Sequence, residues 1–494
     1  MDLSSDRFKK ASLTAVMAVV FILAAVMIAY SCAHQNWLIA LALGIGPVLL
    51  ILAVSSIKSI QLSFYVLIIV SYFLPLFARY MDYSGRNIQF GLIMDAMIMA
   101  VFFVVLVQIL SKQISFKHVR GEPVFYAFIW LFFCVFEGAN LLSSTEAWMK
   151  SIRNMAVYFV AIIFLAEVAF SDFKYVKHFL VIWAVLSWCT ILYTFKQKYI
   201  GFSVLDKFFL YAQKGYITHI INSGVRYFSI FSDAANMGAA MGVTMTVYII
   251  AGLSEPKKAL KWFYFITALG SMMALLFSGT RSALAVPFCG LAVYCLVSKR
   301  YKRVALIVAF IVSVFIFLNF TTIGDGNSVI RRARSVFNHD DASYQVRLDN
   351  RAKPVEYMKD KPLGYGVGLS GGHAAQFGDQ YYEISQIATD SWFVQLWVET
   401  GEVGLVIYFL IIGVLLIRGM YIVRFKLKDD QVTGYMTALL CGFTGLFVMS
   451  SNNQVLAQIP NGILAYASIA IIFLGPHYDK LQSQTADIDN NGKL

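Results

Sequence analysis

The sequence predicts an all-helical protein that crosses a membrane many times, and three observations support this fold class. Of its 494 residues, 59% are hydrophobic and only 14% are charged, whereas about a quarter of the residues in soluble domains are charged. Apolar runs of about 20 residues recur along the chain, which is the length a helix needs to span the hydrocarbon core. The first run, residues 11–30, is followed at once by others, so we predict a retained helix rather than a cleaved signal peptide.

The apolar runs predict about 12–14 transmembrane helices. In chain order they cover residues 11–31, 37–54, 60–78, 90–110, 123–143, 152–170, 177–196, 233–253, 260–278, 282–298, 303–320, 398–417, 431–450 and 458–475. The predicted domains are a membrane region at 1–320 with an outer loop at 198–232, a large structured loop at 321–396, further transmembrane helices at 397–476 and a tail at 477–494. From Ser483 onwards the tail has the composition of a disordered segment.

The distribution of basic residues predicts the orientation. The net charge is +12. Lysine and arginine concentrate in the segments KQISFKHVRGE, SEPKKALK, SKRYKR and RGMYIVRFKLKDD. With alternating spans, these connections all fall on one side, which the positive-inside rule assigns to the cytoplasm. Both termini are then cytoplasmic, and the large loop lies on the opposite side.

Three arginines on that opposite side are candidates for binding an anion: Arg226, Arg281 and Arg347. An arginine at a membrane edge either extends to lipid headgroups or lines a polar cavity, and its fork of donors suits the bidentate capture of phosphate. The SGTRSA turn around Arg281 also offers backbone N–H groups at a helix start. The basic stretch SVIRRARSVFN instead predicts a helix that lies on lipid, through Arg331, Arg332 and Arg334.

Polar residues and tryptophans crowd the segment ATDSWFVQLWVETGEVGL, where the large loop returns to apolar sequence. Asp390 there is either a helix-capping residue or a general base. Trp392 and Trp397 are either interfacial anchors or platforms on which sugars stack. His373 follows a glycine-rich turn and is either a loop histidine or part of a site. No His or Cys pair has metal-site spacing, so we predict no metal and no cofactor.

Residues 220–415 resemble the O-antigen ligase and O-antigen/exopolysaccharide polymerase family of bacterial membrane proteins. The resemblance rests on RYFSIFSDAANMGAAMG, SGTRSALAVPFCGL, YQVRLDN, PLGYGVGL and TDSWFVQLWVETGEVGL, in this order around one large loop. It implies a glycosyltransferase similar to the C-type fold, in the bacterial inner membrane with its active site facing the periplasm. Such enzymes move a glycan from undecaprenyl diphosphate to an acceptor, with inversion and without a required metal.

The resemblance also implies roles for particular residues. Arg226 and Arg281 would bind the donor diphosphate, and Arg347 would assist. Many family members carry His-Asn at the end of the loop, where this sequence has Thr389 and Asp390. Either Asp390 takes over as the base, or His373 reaches the site, or a diphosphate leaving group makes a strong base unnecessary. The departure favours a polymerase over a ligase.

The implied partners are an undecaprenyl-diphosphate-linked oligosaccharide donor, a glycan or lipid A-core acceptor, and membrane lipids. Flippase and chain-length regulator proteins are further candidates, and nucleic acid is not. The competing class is a transporter such as a lipid-linked oligosaccharide flippase, since Asp95, Glu137 and Glu167 lie within apolar runs. We find no internal repeat of the kind that transporters carry, so structural pairing of these acids is the prediction. A membrane scaffold would leave the outward arginines unexplained.

Overall fold

The computed structural model describes residues 59–86, 90–113, 119–221, 224–324, 326, 328–334, 352–386 and 389–491. Within those residues, 10 helices are long and apolar enough to cross a membrane. The protein is therefore a helical, polytopic membrane protein, as its composition predicts. The first two predicted spans, at 11–31 and 37–54, lie outside the described residues.

The described long helices follow the predicted spans in order, and shorter helices lie between them. They are α1 (Ile60–Tyr83), α2 (Phe90–Leu110), α3 (Glu122–Phe136), α4 (Thr145–Ile152), α5 (Tyr158–Ala169), α6 (Phe173–Phe195), α7 (Val204–Tyr211), α8 (Tyr216–His219), α9 (Ala234–Ser254), α10 (Lys258–Ser278), α11 (Ala285–Val297), α12 (Tyr301–Phe320), α13 (Ser328–Arg334), α14 (Tyr382–Ser385), α15 (Trp392–Tyr421), α16 (Asp430–Met449) and α17 (Asn461–Asn491). Two short strands, β1 (Ile220–Ile221) and β2 (Gly224–Val225), pair antiparallel between α8 and α9.

Helices α15 and α17 extend well beyond their predicted spans. Helix α15 begins at Trp392 rather than at residue 398, because Ser391 caps it by accepting from the N–H groups of Phe393 and Val394. Helix α17 continues to Asn491, so the prediction that the chain is disordered from Ser483 is wrong for residues 483–491. No glycine or proline interrupts the chain after Pro476 until Gly492.

The chain divides into two compact units. Among the described residues, the first unit contains 59–66 and 101–113, which are the start of α1 and the end of α2. In it, Ser59 Oγ accepts from the Leu62 N–H at the start of α1. The second unit contains all other described residues, and every contact reported below lies inside it.

In the second unit, three of the basic connections meet at one end of the helices. Arg300, in the SKRYKR segment, pairs with Asp430 at the start of α16 at 2.5 Å. The next residue, Gln431, donates to Glu255 in the SEPKKALK segment at 2.9 Å. These three connections are therefore neighbours in the structure, and the side of the membrane on which they lie stays a prediction.

Small residues bring the start of α9 against the end of α10. The sequence AANMGAAMG opens α9, and a Cβ on Gly238 would lie only 2.6 Å from Ser278 Oγ. Such close approach is how small residues pack helices in membranes. It places the turn after α10, which carries Arg281, beside the segment before α9, which carries Arg226.

Candidate functional site

The structure brings the two predicted arginines to one turn. Arg226 follows β2, and its Nη2 donates to Thr280 Oγ1 at 2.8 Å. The Thr280 hydroxyl in turn donates to the Ala234 carbonyl at 3.0 Å. Because Thr280 directly precedes Arg281, the Arg226 guanidinium contacts the turn that carries Arg281, between the end of α10 and the start of α9.

A third arginine approaches the same turn from α13. Gly279 ends α10 in the left-handed region with φ 57, and a Cβ there would lie 2.8 Å from Arg332 Nη1. Gly279, Thr280, Arg281 and Arg332 line a small cavity of about 20 Å³. We call Arg226, Arg281 and Arg332 the arginine cluster. Three guanidinium groups around one turn suit an anion with several oxygens, such as a diphosphate.

Helix α13 differs from its predicted role as a basic face on lipid. Arg332 lies against Gly279, and Arg334 Nη2 donates to the Ile323 carbonyl at 2.8 Å. The Arg334 guanidinium also lies 5.4 Å from the centre of the Phe317 ring. Two of the three arginines therefore contact protein.

A buried ion pair holds the segment that carries Arg226. Arg79 of α1 is 4% exposed and pairs with Asp206 at 2.8 Å. Its Nη2 also donates to the Ser229 carbonyl at 2.6 Å. Ser229 has φ 52, a conformation that a non-glycine residue keeps only where its surroundings impose it. The pair therefore fixes the backbone that follows Arg226.

His219 fixes the other side of this segment. Its backbone carbonyl accepts from the Arg226 N–H at 2.8 Å. Its Nδ1 lies 2.8 Å from the Gly215 carbonyl, and its Nε2 accepts from the Ala234 N–H at 3.3 Å. Only the neutral ring with hydrogen on Nδ1 satisfies both contacts. Burial lowers the pKa of His219, which favours this neutral form.

The glycine-rich turn PLGYGVGL locks into a break in α15. Gly401 has φ 66 and ψ −169, which interrupts the helix. The carbonyls of Val398 and Glu399 accept instead from the N–H groups of Tyr365 and Gly366, at 2.9 and 3.0 Å. Two motifs that are separate in sequence, PLGYGVGL and WVETGEVGL, therefore form one structural unit.

A polar cavity of about 470 Å³ opens beside this junction. It is lined by Lys150, Ser151, Gly368, Ser370, Gly371, Gly372, Gln376, Phe377, Thr389, Gln395, Glu399 and Gln454. We call it the Gln395 cavity. Its buried carboxylate, Glu399, accepts from the Gly368 N–H at 2.8 Å, from Ser370 Oγ at 2.5 Å and from Gln395 Nε2 at 2.9 Å. These three donors satisfy acceptor positions of the buried carboxylate.

The segment before α15 corrects two sequence predictions. Asp390 is exposed and does not cap α15, because Ser391 is the capping residue. The capping explanation of Asp390 is therefore wrong, whereas the base explanation stays a prediction. Trp392 is 1% exposed and its Nε1 donates to Tyr408 Oη at 3.2 Å. It is a core residue rather than an interfacial anchor or a sugar platform, and Trp397 is half-buried against the hydrophobic cluster around Val398.

One loop ties these parts together, and sequence reasoning missed it. Between α16 and α17, Asn453 Nδ2 donates to Ser282 Oγ at 2.6 Å. The next residue, Gln454, donates to the Thr389 carbonyl. Two consecutive side chains therefore hold the turn that carries Arg281 and the backbone at Thr389, just before Asp390. The amide-rich sequence SSNNQ between two apolar helices was the available signal.

Two predicted site residues lie outside what the structure describes: Arg347 and the side chain of His373. The backbone of His373 belongs to the 3-10 helix Gly371–Phe377, whose first two residues line the Gln395 cavity. Within the described residues, no group of three or more His, Cys, Asp or Glu side chains could hold a metal ion.

The acids within apolar helices have structural partners, as predicted. Asp95 pairs with Arg153 at 2.9 Å and accepts from Tyr158 Oη at 2.6 Å. Glu167 accepts from the Gly121 N–H at 3.2 Å. The Asn140 amide donates to Glu137 at 2.9 Å.

Comparison with known proteins adds one match. Residues 263–409 match the sequence model of the O-antigen ligase family. This range holds Arg281, Arg332, the glycine-rich turn and the start of α15, whereas Arg226 and the loop after α16 lie outside it. No curated protein matches the chain. The protein is therefore a polytopic membrane protein with an O-antigen ligase domain over residues 263–409.

Proposed function

We propose that the protein transfers a glycan from an undecaprenyl-diphosphate-linked donor to a sugar acceptor, and so polymerises or ligates a surface polysaccharide. The observation that carries this proposal is the arginine cluster, in which Arg226 and Arg281 meet through Thr280. The match of residues 263–409 to the O-antigen ligase family supports it. The transfer would be inverting and independent of a metal, as the resemblance implies.

The cluster suits a diphosphate that departs with increasing negative charge. As the bond between the anomeric carbon and the phosphate oxygen breaks, that charge moves onto the leaving diphosphate. Guanidinium groups already held in place stabilise it without reorganising. Arg226 is preorganised by Thr218 and Thr280, to which it donates at 3.1 and 2.8 Å. The acceptor hydroxyl forms the new glycosidic bond on the opposite face of the sugar.

We assign the proton of that hydroxyl to Asp390. Its carboxylate is exposed and has no capping role. It directly follows Thr389, which lines the Gln395 cavity and is held by Gln454. His373 is the alternative base, since its helix begins at the same cavity.

The experiment is turnover by the purified full-length protein with an undecaprenyl-diphosphate oligosaccharide. Longer lipid-linked products show a polymerase, and transfer to a lipid A core shows a ligase. We expect Arg281→Ala and Arg226→Ala to lower turnover about 10²–10³-fold, as loss of one transition-state donor does. Lys302→Ala is the control, because Lys302 is exposed beside the basic connection at the other end of the helices. Full activity of both arginine variants, or movement of intact donor across a bilayer without new bonds, would refute the proposal.

A further inference from the structure

We propose that the connection between α6 and α9 lies in the lipid interface, where its apolar side chains enter one leaflet and its lysines face anionic phospholipid headgroups. We call residues 201–221 and 224–225 the Lys207 loop. It lies between the candidate spans Phe173–Ile200 and Ala234–Ser254 and belongs to neither. This contact with lipid does not depend on the proposed transfer of a glycan.

The Lys207 loop begins where two membrane-spanning helices end. Its helix α7 starts at Val204, shortly after the candidate span Phe173–Ile200. The centre of the Phe208 ring lies 5.4 Å from that of Tyr83, the last residue of α1. The span of 28 residues is about 40 Å long, whereas the hydrocarbon core is about 30 Å thick. Its ends therefore reach the headgroup region, and α7 lies at that level.

Helix α7 turns an apolar face away from the protein. Asp206 and Leu210 are fully buried on its inner face. The opposite face carries Val204, Phe208 and Tyr211, spaced four and three residues apart, and Val204 and Tyr211 are exposed. A helix that meets water turns polar residues outwards. The outward face of α7 is therefore suited to lipid.

The exposed apolar side chains continue along α8 and the two strands. Tyr216 and Ile217 of α8 are exposed. Ile220 of β1 and Val225 of β2 are cross-strand partners, and both are exposed. Partners of this kind stand together on one face of a strand pair. Exposed apolar side chains that recur through one folded segment mark an interaction surface.

The charge of the Lys207 loop complements anionic headgroups. Lys207 and Lys214 are exposed. The one acid in the sequence of the loop, Asp206, is buried and pairs with Arg79. Lysines beside an apolar face are typical of segments that lie on anionic lipid, whereas a purely hydrocarbon ligand would leave them unexplained. The surface therefore fits a leaflet that contains anionic phospholipid.

Contact with lipid would set the depth of Arg226. Arg226 directly follows Val225, and successive side chains of a strand point to opposite faces. Val225 is exposed, whereas Arg226 donates to Thr280. A loop seated in one leaflet therefore keeps the Arg226 guanidinium near the level of the lipid phosphates. If the proposed function holds, the diphosphate of a lipid-linked donor lies at this depth.

The test compares two tyrosines of similar exposure. Tyr211 of the loop is 64% exposed and Tyr382 of α14 is 60% exposed, and both lie outside the candidate spans. Tyr382 is the matched control, because exposed Asp379 and Glu383 surround it instead of lysines. A fluorescent coumarin amino acid replaces one tyrosine at a time in the full-length protein. The nanodiscs contain phosphatidylglycerol and phosphatidylcholine in equal parts, with a nitroxide on some of the acyl chains.

A nitroxide near the headgroup end of the chain should quench the probe in place of Tyr211 strongly and the probe in place of Tyr382 weakly. A nitroxide at the far end of the chain should quench the first probe less, because an interfacial segment enters a leaflet by only about 5–10 Å. Quenching at Tyr211 no stronger than at Tyr382 would mean that the face meets water or another protein, and it would overturn the proposal. Stronger quenching from the far end of the chain would also overturn it.

The lysines are tested with the same probe. Nanodiscs of phosphatidylcholine alone should show weaker quenching at Tyr211 than those with phosphatidylglycerol. With Lys207→Gln and Lys214→Gln together, quenching should be equally weak in both lipids. Equal quenching of the unaltered loop in the two lipids would refute the assignment of the lysines to anionic headgroups. None of these measurements needs turnover, so their failure and failure of the proposed function are seen separately.

Discussion

Thr280 is a single residue on which the arginine cluster depends. Its hydroxyl accepts from Arg226 Nη2 and donates to the Ala234 carbonyl, and the residue is 5% exposed. A hydroxyl is the side chain that can do both at once. It connects the guanidinium that precedes α9 to the turn that carries Arg281.

We predict that Thr280→Val lowers turnover about 10–100-fold, because a hydrogen bond to a charged group contributes about 1.5–3 kcal/mol. Valine has nearly the shape of threonine and lacks the hydroxyl. Thr280→Ser keeps the hydroxyl and should retain most of the activity. The measurement is turnover of the lipid-linked donor, and equal rates for the two variants would show that the Arg226 contact has no role in it.

Asp390 and Ser391 are neighbours with different roles, which mutation can separate. Asp390→Asn should lower turnover about 10²–10⁴-fold, the contribution of a general base, and leave the thermal midpoint unchanged. Ser391→Ala should leave turnover unchanged and lower the stability by about 0.5–2 kcal/mol through loss of the helix cap. Comparing turnover with melting in detergent checks both. If Asp390→Asn is fully active, His373→Ala becomes the variant to measure.

At the scale of elements, the break in α15 is the feature that shapes the Gln395 cavity. Gly401 has φ 66, and a Cβ there would lie 1.9 Å from the Pro362 carbonyl oxygen. The Val403 N–H donates to that same carbonyl at 3.2 Å. The break frees helix carbonyls for the glycine-rich turn, so the turn and the helix depend on each other.

We predict that Gly401→Ala destabilises the protein by about 1–3 kcal/mol or more, from backbone strain together with the clash. Gly413→Ala in the same helix is the control, because its Cβ meets nothing within 4 Å and alanine favours helix by up to about 1 kcal/mol. Thermal unfolding in detergent is the measurement. An equal midpoint for both variants would mean that the turn does not depend on the break.

The segment from α8 to the start of α9 should respond to pH through His219. Burial lowers its pKa, and the positive charges of Arg226 and Arg79 lower the pKa further. The hydrogen bond to the Gly215 carbonyl and the negative charge of Asp233 oppose this shift. Near the ordinary pKa of 6.5, the unfolded chain therefore binds a proton at this histidine more readily than the folded protein does. By linkage, stability rises with pH in that window and falls as the pH drops below it.

We expect the thermal midpoint to fall between about pH 7.5 and 5.5 by more than it does in His219→Gln, since the variant has no proton to bind there. The measurement is the difference between the two pH profiles. Parallel profiles would show that His219 does not contribute to the pH dependence of stability.

At the scale of the whole molecule, the proposed orientation has a direct test. Three of the basic connections are neighbours in the second unit, as the Arg300–Asp430 pair and the Gln431–Glu255 hydrogen bond show. The positive-inside rule places these connections in the cytoplasm. We predict that Lys302→Cys reacts with a membrane-impermeant thiol reagent only after the cells are opened, whereas Asp390→Cys reacts in intact spheroplasts. The reverse pattern would place the arginine cluster on the wrong side for a periplasmic acceptor.

Several features were predictable because they depend on local pattern. The apolar runs located every described long helix, and Arg226 and Arg281 stood out because the positive-inside rule does not explain them. The prediction that Arg332 lies on lipid missed its contact with Gly279, because that contact is tertiary and no local pattern reveals it. The Asn453 and Gln454 bonds were missed for the same reason.

The sequence by itself determined the membrane class and the order of the helices, and it indicated Arg226 and Arg281 as candidates, because hydrophobic length and charge act locally along the chain. The tertiary structure decided which parts meet. It joined Arg226 to Thr280, locked PLGYGVGL into the break at Gly401 and formed the Gln395 cavity. Those contacts link residues far apart in sequence through freed backbone groups and single side chains, and no periodicity along the chain encodes such pairings.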